Sequence, residues 1–364
     1  MDNTYKNKNI LISGFYGFGN AGDEAILYSM VTSFRKLMPE AGISVLSNGK
    51  IDELSDYNVN FVNRKNYFSI LKAMFTTTLF ISGGGGLIQD ITSVRSIRYY
   101  LNLINLAKLF RKKVMVYAQG IGPVDTDEGK KLTSETLNRV DYITVRDEAS
   151  KELLLNLGLN EKLIEVTADP VLMLEGQTDI TNILSKYDIN KDNVNLGIAV
   201  RPWGVDYLDK LASFLNNINK KYPDIKQYLL PFQLSTDLEQ CLKLKEKLVF
   251  DAIVINEKLS TLQLLSLISN FNYMAAMRLH AAIMGAVNSI PSLGIIYDPK
   301  VKSFFELMNL PSVDIKRMEL NLMDEKFDYL LKNNEQVKKN LKENVSSLKK
   351  KACKNNEIVM DLLK

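Results

Sequence analysis

Apolar residues in this chain fall into short unbroken runs that alternate with longer stretches of helical period. Runs at 10–13, 43–46, 79–82, 114–118 and 142–145 read as buried strands in the first half of the sequence, which 166–170 closes. In the second half, runs at 196–200, 227–230, 253–255, 271–275 and 292–296 read the same way. Periodic segments between them predict helices, among them 97–110, 149–157, 207–218, 261–268 and 281–287. Strands alternating with helices imply parallel, doubly wound sheets. The polar stretch 175–193 has no long apolar run and reads as a junction. The expected organisation is two Rossmann-like domains, 1–175 and 194–320, facing each other across a cleft. A lysine-rich helical segment, 321–364, packs back on them with an inner face of Phe327, Leu330, Leu331, Leu341, Leu348 and Val359.

Several runs end in unusual chemistry. Residues 10–13 lead into Gly14-Phe15-Tyr16-Gly17-Phe18-Gly19-Asn20-Ala21-Gly22-Asp23-Glu24, which contains a G-x-G-x-x-G pattern at Gly17, Gly19 and Gly22. A dinucleotide site is disfavoured, because Asp23 and Glu24 would repel a pyrophosphate at the helix start. The second strand also ends in Ser47-Asn48, without an acidic ribose ligand. The loop reads as a close approach of backbone to a ligand or a neighbouring domain; a tight turn serving only the fold fits the glycines equally well. Residues 79–82 lead into Gly83-Gly84-Gly85-Gly86-Leu87-Ile88-Gln89-Asp90. Four successive glycines between a strand and a helix predict a ligand-facing loop.

The only histidine, His280, lies in Met277-Arg278-Leu279-His280-Ala281, after one predicted strand and before a helix. Arg146, Arg201, Arg278 and Lys300 occupy similar positions, just past a strand or at a helix start. Asp298 reads as an N-cap and Pro299 as the first helical residue, which puts Lys300 in a first turn that disfavours cations. In open α/β sheets ligands bind at this edge. Five cationic or protonatable groups converging there would repel one another unless a multiply charged anion neutralised them. Arginine suits carboxylate or phosphate as a bidentate partner, lysine acts as a point charge, and histidine carries protons near neutral pH.

Composition narrows the choice. The formal net charge is only +4 over 364 residues, which does not suggest a nucleic-acid partner. Cys241 and Cys353 form no framework, and with one histidine they make no zinc spacing, so neither metal nor cofactor is expected. The N-terminal stretch lacks the apolar core of a signal peptide, and no apolar run reaches membrane-spanning length. A cytoplasmic enzyme is expected, with peripheral contact at the inner membrane face as a minor alternative. Arg95, Arg98, Lys108, Arg111, Lys112 and Lys113 around the helix 97–110 read as a solvated helix end, anionic lipid head groups being the other option.

Taken together the segments resemble the polysaccharide pyruvyl transferase family, especially its CsaB-type branch that modifies secondary cell-wall polymers. The matching stretches are Gly14 through Glu24, Gly83 through Asp90, Tyr117-Ala118-Gln119-Gly120-Ile121-Gly122-Pro123, and Val145-Arg146-Asp147-Glu148. They continue with Ala168-Asp169-Pro170, Arg201-Pro202-Trp203, Met277 through Ala281, and Asp298-Pro299-Lys300. The resemblance implies a fold of the GT-B kind, phosphoenolpyruvate as donor, and a lipid-linked cell-wall saccharide as acceptor. The product it implies is a 4,6-ketal of pyruvate on N-acetylmannosamine, used in secondary cell-wall polymers and S-layer anchoring. On this reading His280, Lys300 and Arg146 are catalytic, and Arg278, Arg201, Lys300 and Arg146 bind the donor. Gly17, Asp23, Gly84, Gly85, Gln89, Asp90 and Gln119 line the acceptor side. A GT-B glycosyltransferase using a nucleotide sugar, and a non-catalytic anion or sugar sensor, remain as rival readings.

Overall fold

The computed structural model describes residues 3–91 and 94–364. It divides into two compact units. The first comprises Met1–Phe18, Asp23–Met173 and Leu348–Lys364; the second comprises Gly19–Gly22 and Leu174–Ser347.

In the first unit the order is β1 (Asn9–Ser13), α1 (Ala21–Leu37), β2 (Gly42–Ser47), β3 (Val59–Asn63), α2 (Tyr67–Thr76), β4 (Leu79–Ser82) and α3 (Val94–Leu109). It continues through β5 (Lys113–Gln119), α4 (Asp127–Leu137), β6 (Tyr142–Val145), α5 (Glu148–Asn156) and β7 (Ile164–Val166). The seven strands lie in the order β3-β2-β1-β4-β5-β6-β7, and all neighbours are parallel. The runs that build β1, β4 and β6 are buried at nearly every position because a parallel sheet is covered on both faces. One face packs Leu11, Phe80, Val114 and Val116 against Ile70 and Met74 of α2 and Ile97, Leu101 and Ile104 of α3.

The second unit starts with α6 (Thr181–Lys186), β8 (Val194–Ala199), α7 (Leu208–Lys221), β9 (Ile225–Leu229), α8 (Leu234–Lys245), β10 (Ile253–Val254) and α9 (Thr261–Ile268). It continues with β11 (Tyr273–Ala276), α10 (Leu279–Val287), β12 (Ser292–Ile296), α11 (Pro299–Leu307), β13 (Ser312–Asp314), α12 (Leu320–Lys332) and α13 (Asn334–Leu363). Its sheet order is β10-β9-β8-β11-β12-β13, again parallel throughout. The strand order therefore reverses between β1 and β4 in one unit and between β8 and β11 in the other. Such switch points open a crevice at the carboxyl ends of the strands.

The alternating pattern predicted two parallel sheets, and both are present. Two strands escaped it. Val59–Asn63 alternates half-buried and exposed positions at the sheet edge, and Ser312–Asp314 has a single buried residue, so neither reads as an apolar run. The last helix is long, and its C-terminal part belongs to the first unit. There Asn356 accepts a hydrogen bond from the Tyr117 hydroxyl at 2.7 Å and Asn355 accepts one from Thr167 at 2.9 Å. Among the described residues no helix is long and apolar enough to cross a membrane.

Candidate active site

The carboxyl edge of the second sheet gathers most of the expected cations. β8 and β11 are neighbours with Ala199 opposite Ala276, so Arg201 and Arg278 each stand two residues beyond paired positions. Adjacent strands run about 4.8 Å apart, which makes these two arginines neighbours along the edge. Arg278 is the N-cap of α10 and His280 lies within its first turn, so the helix begins two residues earlier than its periodicity suggests.

Arg278 does not stand bare. Its Nε donates to Oδ2 of Asp237 at 2.9 Å, and a terminal nitrogen donates to Oδ1. Asp237, fully buried in the first turn of α8, also accepts the Phe232 and Gln233 amides at 3.1 and 3.0 Å and the Thr236 hydroxyl at 3.0 Å. A carboxylate so saturated fixes the guanidinium plane. Lys300 likewise has an internal partner: its Nζ lies 3.3 Å from Oδ2 of Asp298. Asp298 caps α11 as expected, accepting the Lys300 amide at 3.0 Å with Pro299 at the first helical position.

Arg201 is held differently. One terminal nitrogen donates to the Tyr297 hydroxyl at 3.0 Å, and the guanidinium lies 5.1 Å from the Tyr297 ring and 5.6 Å from Trp203. Cation–π attraction orients it without removing its charge. Its Nε is buried and has no hydrogen-bond partner among the described residues. A buried donor left open in this way favours a ligand that brings an acceptor.

The glycine loop meets this edge through Gly19–Gly22, which group with the second unit. The Ala21 amide donates to the Phe232 carbonyl at 2.8 Å, and Asn20 pairs with Gln233. This brings Gly22 against His280. A Cβ on Gly22 would sit 2.2 Å from the imidazole Nδ1, so only glycine admits the ring in this position.

In the first unit the expected acceptor-side residues prove to be engaged within the fold. Gly17 has φ +78°, and a Cβ there would lie 2.5 Å from the Ser47 hydroxyl. Gly84 is packed under Ile26, and Gly85, at φ +99°, against Asp23. Gly17 fits its loop against the end of β2, and Gly84 and Gly85 let theirs pack on α1, so their presence does not by itself call for a ligand. Gln119 is fully buried, and its amide donates to Ser82 and Gly83 at 2.8 Å. It anchors the four-glycine loop from below and cannot reach an acceptor. Asp90 is buried and receives the amides of Asp125 and Thr126 at 2.9 Å and the Thr126 hydroxyl at 2.5 Å. Burial alone would raise its pKa, but these hydrogen bonds prevail and hold the carboxyl below its ordinary range. Asp23 and Gln89 are half-buried and remain candidates for contact.

Arg146 follows β6. Its guanidinium lies on the backbone of Gly120, where a Cβ would come within 2.6 Å, and donates to Asp169 at 3.0 Å. The side chains of both partners are buried, so this charge is balanced within the unit. The five groups expected to repel one another therefore need no anion for that reason: Asp169, Asp237 and Asp298 neutralise Arg146, Arg278 and Lys300 in turn. Asp237 gave no signal in sequence, because it lies forty-one positions from Arg278 on a helix of weak apolar period. A buried tyrosine was also missed. The Tyr16 hydroxyl has no partner among the described residues, and burial, then Asp23, lift its pKa well above the usual value. Its ring occupies the space left by Gly14 and Gly83.

The sequence pattern over this edge has a known counterpart. The polysaccharide pyruvyl transferase model matches residues 20–299, from the glycine loop to the cap of α11. The chain belongs to this family. It is thus a transferase, an enzyme of polysaccharide pyruvylation. No curated protein matches it in sequence. Among solved structures, Anabaena HepE in complex with UDP-glucose is 10% identical over 98% of this chain and 99% of its own, with a TM-score of 0.67. The UDP-GlcNAc 2-epimerase of Neisseria meningitidis bound to UDP-GlcNAc is 15% identical over 98% and 99%, with a TM-score of 0.65. MnaA of S. aureus with UDP is 12% identical over 92% and 90%, with a TM-score of 0.63. At such identities the likeness concerns the fold, which is of the GT-B kind. The pyruvyl transferase shares it with enzymes of nucleotide sugars.

Proposed function

We propose that this pyruvyl transferase moves the pyruvyl group of phosphoenolpyruvate onto two hydroxyls of a saccharide, forming a cyclic ketal and releasing phosphate. The observation that carries this reading is the edge of the second sheet. There the sole histidine stands beside Arg278, and Arg201 keeps an open buried donor. Phosphoenolpyruvate brings a carboxylate and a phosphate on three carbons, which suits a fork-shaped cation fixed by Asp237 and a second, aromatic-held guanidinium.

In the proposed reaction His280, as imidazolium, protonates the methylene carbon. The double-bond electrons form the new C–H bond and leave the central carbon as an oxocarbenium ion. One sugar hydroxyl attacks it and gives its proton to the imidazole. The C–O bond to phosphate then breaks, with Lys300 balancing charge on the leaving group, and the second hydroxyl closes the ring. Two hydroxyl protons are released in all: one replaces that delivered to the methylene, and the other leaves with phosphate.

On the acceptor side we propose Asp23 and Gln89 as contacts. The acceptor we propose is N-acetylmannosamine of a lipid-linked cell-wall saccharide, pyruvylated at the 4- and 6-hydroxyls, in the manner of the CsaB-type branch that the motifs resemble. Arg146, whose buried guanidinium is packed on the Gly120 backbone and paired with Asp169, is assigned no donor contact.

Trp203 is the only tryptophan and sits against Arg201 and Tyr297, so its fluorescence reports donor binding directly. Phosphoenolpyruvate should change Trp203 emission saturably, and Arg278→Ala should weaken that response. His280→Ala should keep the response while abolishing phosphate release in the presence of acceptor. A response to nucleotide sugars but not to phosphoenolpyruvate would overturn the proposal in favour of glycosyl transfer.

A further inference from the structure

Charge is segregated along this chain far more than its total suggests. Residues 58–124 contain nine lysines and arginines but one acidic residue, Asp90, for a net 9 − 1 = +8, whereas the whole chain carries +4. Asp90 is itself buried, so it contributes little to the surface field. The same segment holds five of the most exposed apolar side chains. Phe68 is 83% exposed, Leu109 75%, Phe75 73%, Tyr67 62% and Ile91 57%. Isolated exposed apolar residues are ordinary; a cluster of large ones on one element marks an interaction surface.

Two of them share a face of α2 with a lysine. Phe68, Lys72 and Phe75 follow one another at i, i+4 and i+7 on α2, which aligns them in a single stripe. The opposite stripe, Ile70 and Met74, is buried against the sheet together with α3. The turn after α3 joins the patch, because Lys112 Nζ donates to the Phe75 carbonyl at 2.8 Å. Leu109, Arg111 and Lys113 of that turn are exposed, as are Lys65 and Lys72. On α3 itself Arg98 is balanced by Glu128 and Lys108 by Asp141, and Arg95 stands in its first turn, at the far end from the patch. Lys65, Lys72, Arg111 and Lys113 thus put exposed positive charge beside the exposed rings.

We propose that this face, α2 with the turn 109–113, docks on an anionic lipid surface. A ten-residue helix is too short to span a bilayer, but aromatic side chains flanked by lysines suit the boundary between head groups and acyl chains. A second copy of the chain fits less well, because two such faces would bring like charges together. The charge rather than the apolar area decides between the two occupants. This inference does not depend on the proposed reaction, since a plain phospholipid surface contains no saccharide.

Vesicle flotation of the full chain tests it. The protein should float with vesicles of equal parts phosphatidylcholine and phosphatidylglycerol, and hardly at all with phosphatidylcholine alone. High salt should release it. Each basic residue near an anionic surface strengthens binding roughly fivefold, so Lys65→Glu/Lys72→Glu should weaken partitioning by more than about twentyfold. Phe68→Ser/Phe75→Ser should lose at least about tenfold with an unchanged melting temperature, because neither ring is packed in the core. Absence of flotation with the anionic vesicles, or equal flotation by the serine variant, would overturn the proposal. So would a wild-type dimer that the serine variant splits while the vesicles stay unoccupied; that result would assign the face to a second copy.

Discussion

The closest fit of backbone to a candidate catalytic group is at Gly22, and adding one methyl group there tests the site's construction. In Gly22→Ala the new Cβ would meet His280 Nδ1 at 2.2 Å, Cγ at 2.6 Å and Cβ at 3.0 Å. Ordinary contact begins at 3.4 Å, so the ring or the loop must retreat by 3.4 − 2.2 = 1.2 Å. Overpacking of this kind costs about 1–3 kcal/mol. Against it, alanine is favoured over glycine in a helix by roughly 1 kcal/mol, and Gly22 lies in the first turn of α1. The net loss of stability should therefore be small, about 0–2 kcal/mol. Turnover should suffer far more, because a displacement of order 1 Å at a reacting group costs roughly a hundredfold. Three readouts separate the links of this argument: thermal unfolding, phosphate release from phosphoenolpyruvate with acceptor, and the imidazole proton–nitrogen NMR correlations. As the chain has one histidine, those correlations need no assignment. Gly49→Ala, where a Cβ meets nothing within 4 Å, serves as control. An imidazole signal unmoved by Gly22→Ala would refute the packing argument. A moved signal with full turnover would refute the proton role of His280.

Other outcomes follow from the same geometry. Asp237→Ala removes the partner of a buried arginine and should destabilise the fold by about 3–5 kcal/mol, read as a lower urea midpoint. A drop under 1 kcal/mol would mean that Arg278 reaches solvent easily. Asp90→Asn should cost about 2 kcal/mol at neutral pH, because charge-assisted hydrogen bonds become neutral ones. The Asp90 pKa is depressed in the folded state, so its contribution is complete above the unfolded value near 3.9 and is lost as pH falls through the folded value. The gap between variant and wild type should thus close in acid, and a gap that widened would contradict the assignment. Thiol titration with a disulfide reagent should find only Cys353 reactive in the native protein. Cys241 is buried and, through burial and then the charge of Asp237, has its pKa pushed up to about 12. Both thiols should react in denaturant.

Much of this molecule was legible in the order of its residues. Unbroken apolar runs specify strands covered on both faces, and their alternation with helical period leaves little choice but parallel sheets. The placement of Arg201, Arg278, His280 and Lys300 follows from the same pattern, since a residue just past such a run must lie at the carboxyl edge. The cap formed by Asp298 and Pro299 was readable because capping is local. Edge strands such as Val59–Asn63 were not, because half their side chains face solvent. Partnership was not legible either. Asp237 and Arg278 are far apart in sequence, and only the fold, by bringing the first turn of α8 to the N-cap of α10, makes the first the counter-charge of the second. The glycines show the same division. Their number marks places where side chains have no room, but whether the occupant is a ligand, Tyr16, Ile26 or His280 depends on what the fold brings there. Sequence fixes conformational preference residue by residue; excluded volume and charge balance are pairwise, and pairs at long range exist only once the chain has folded.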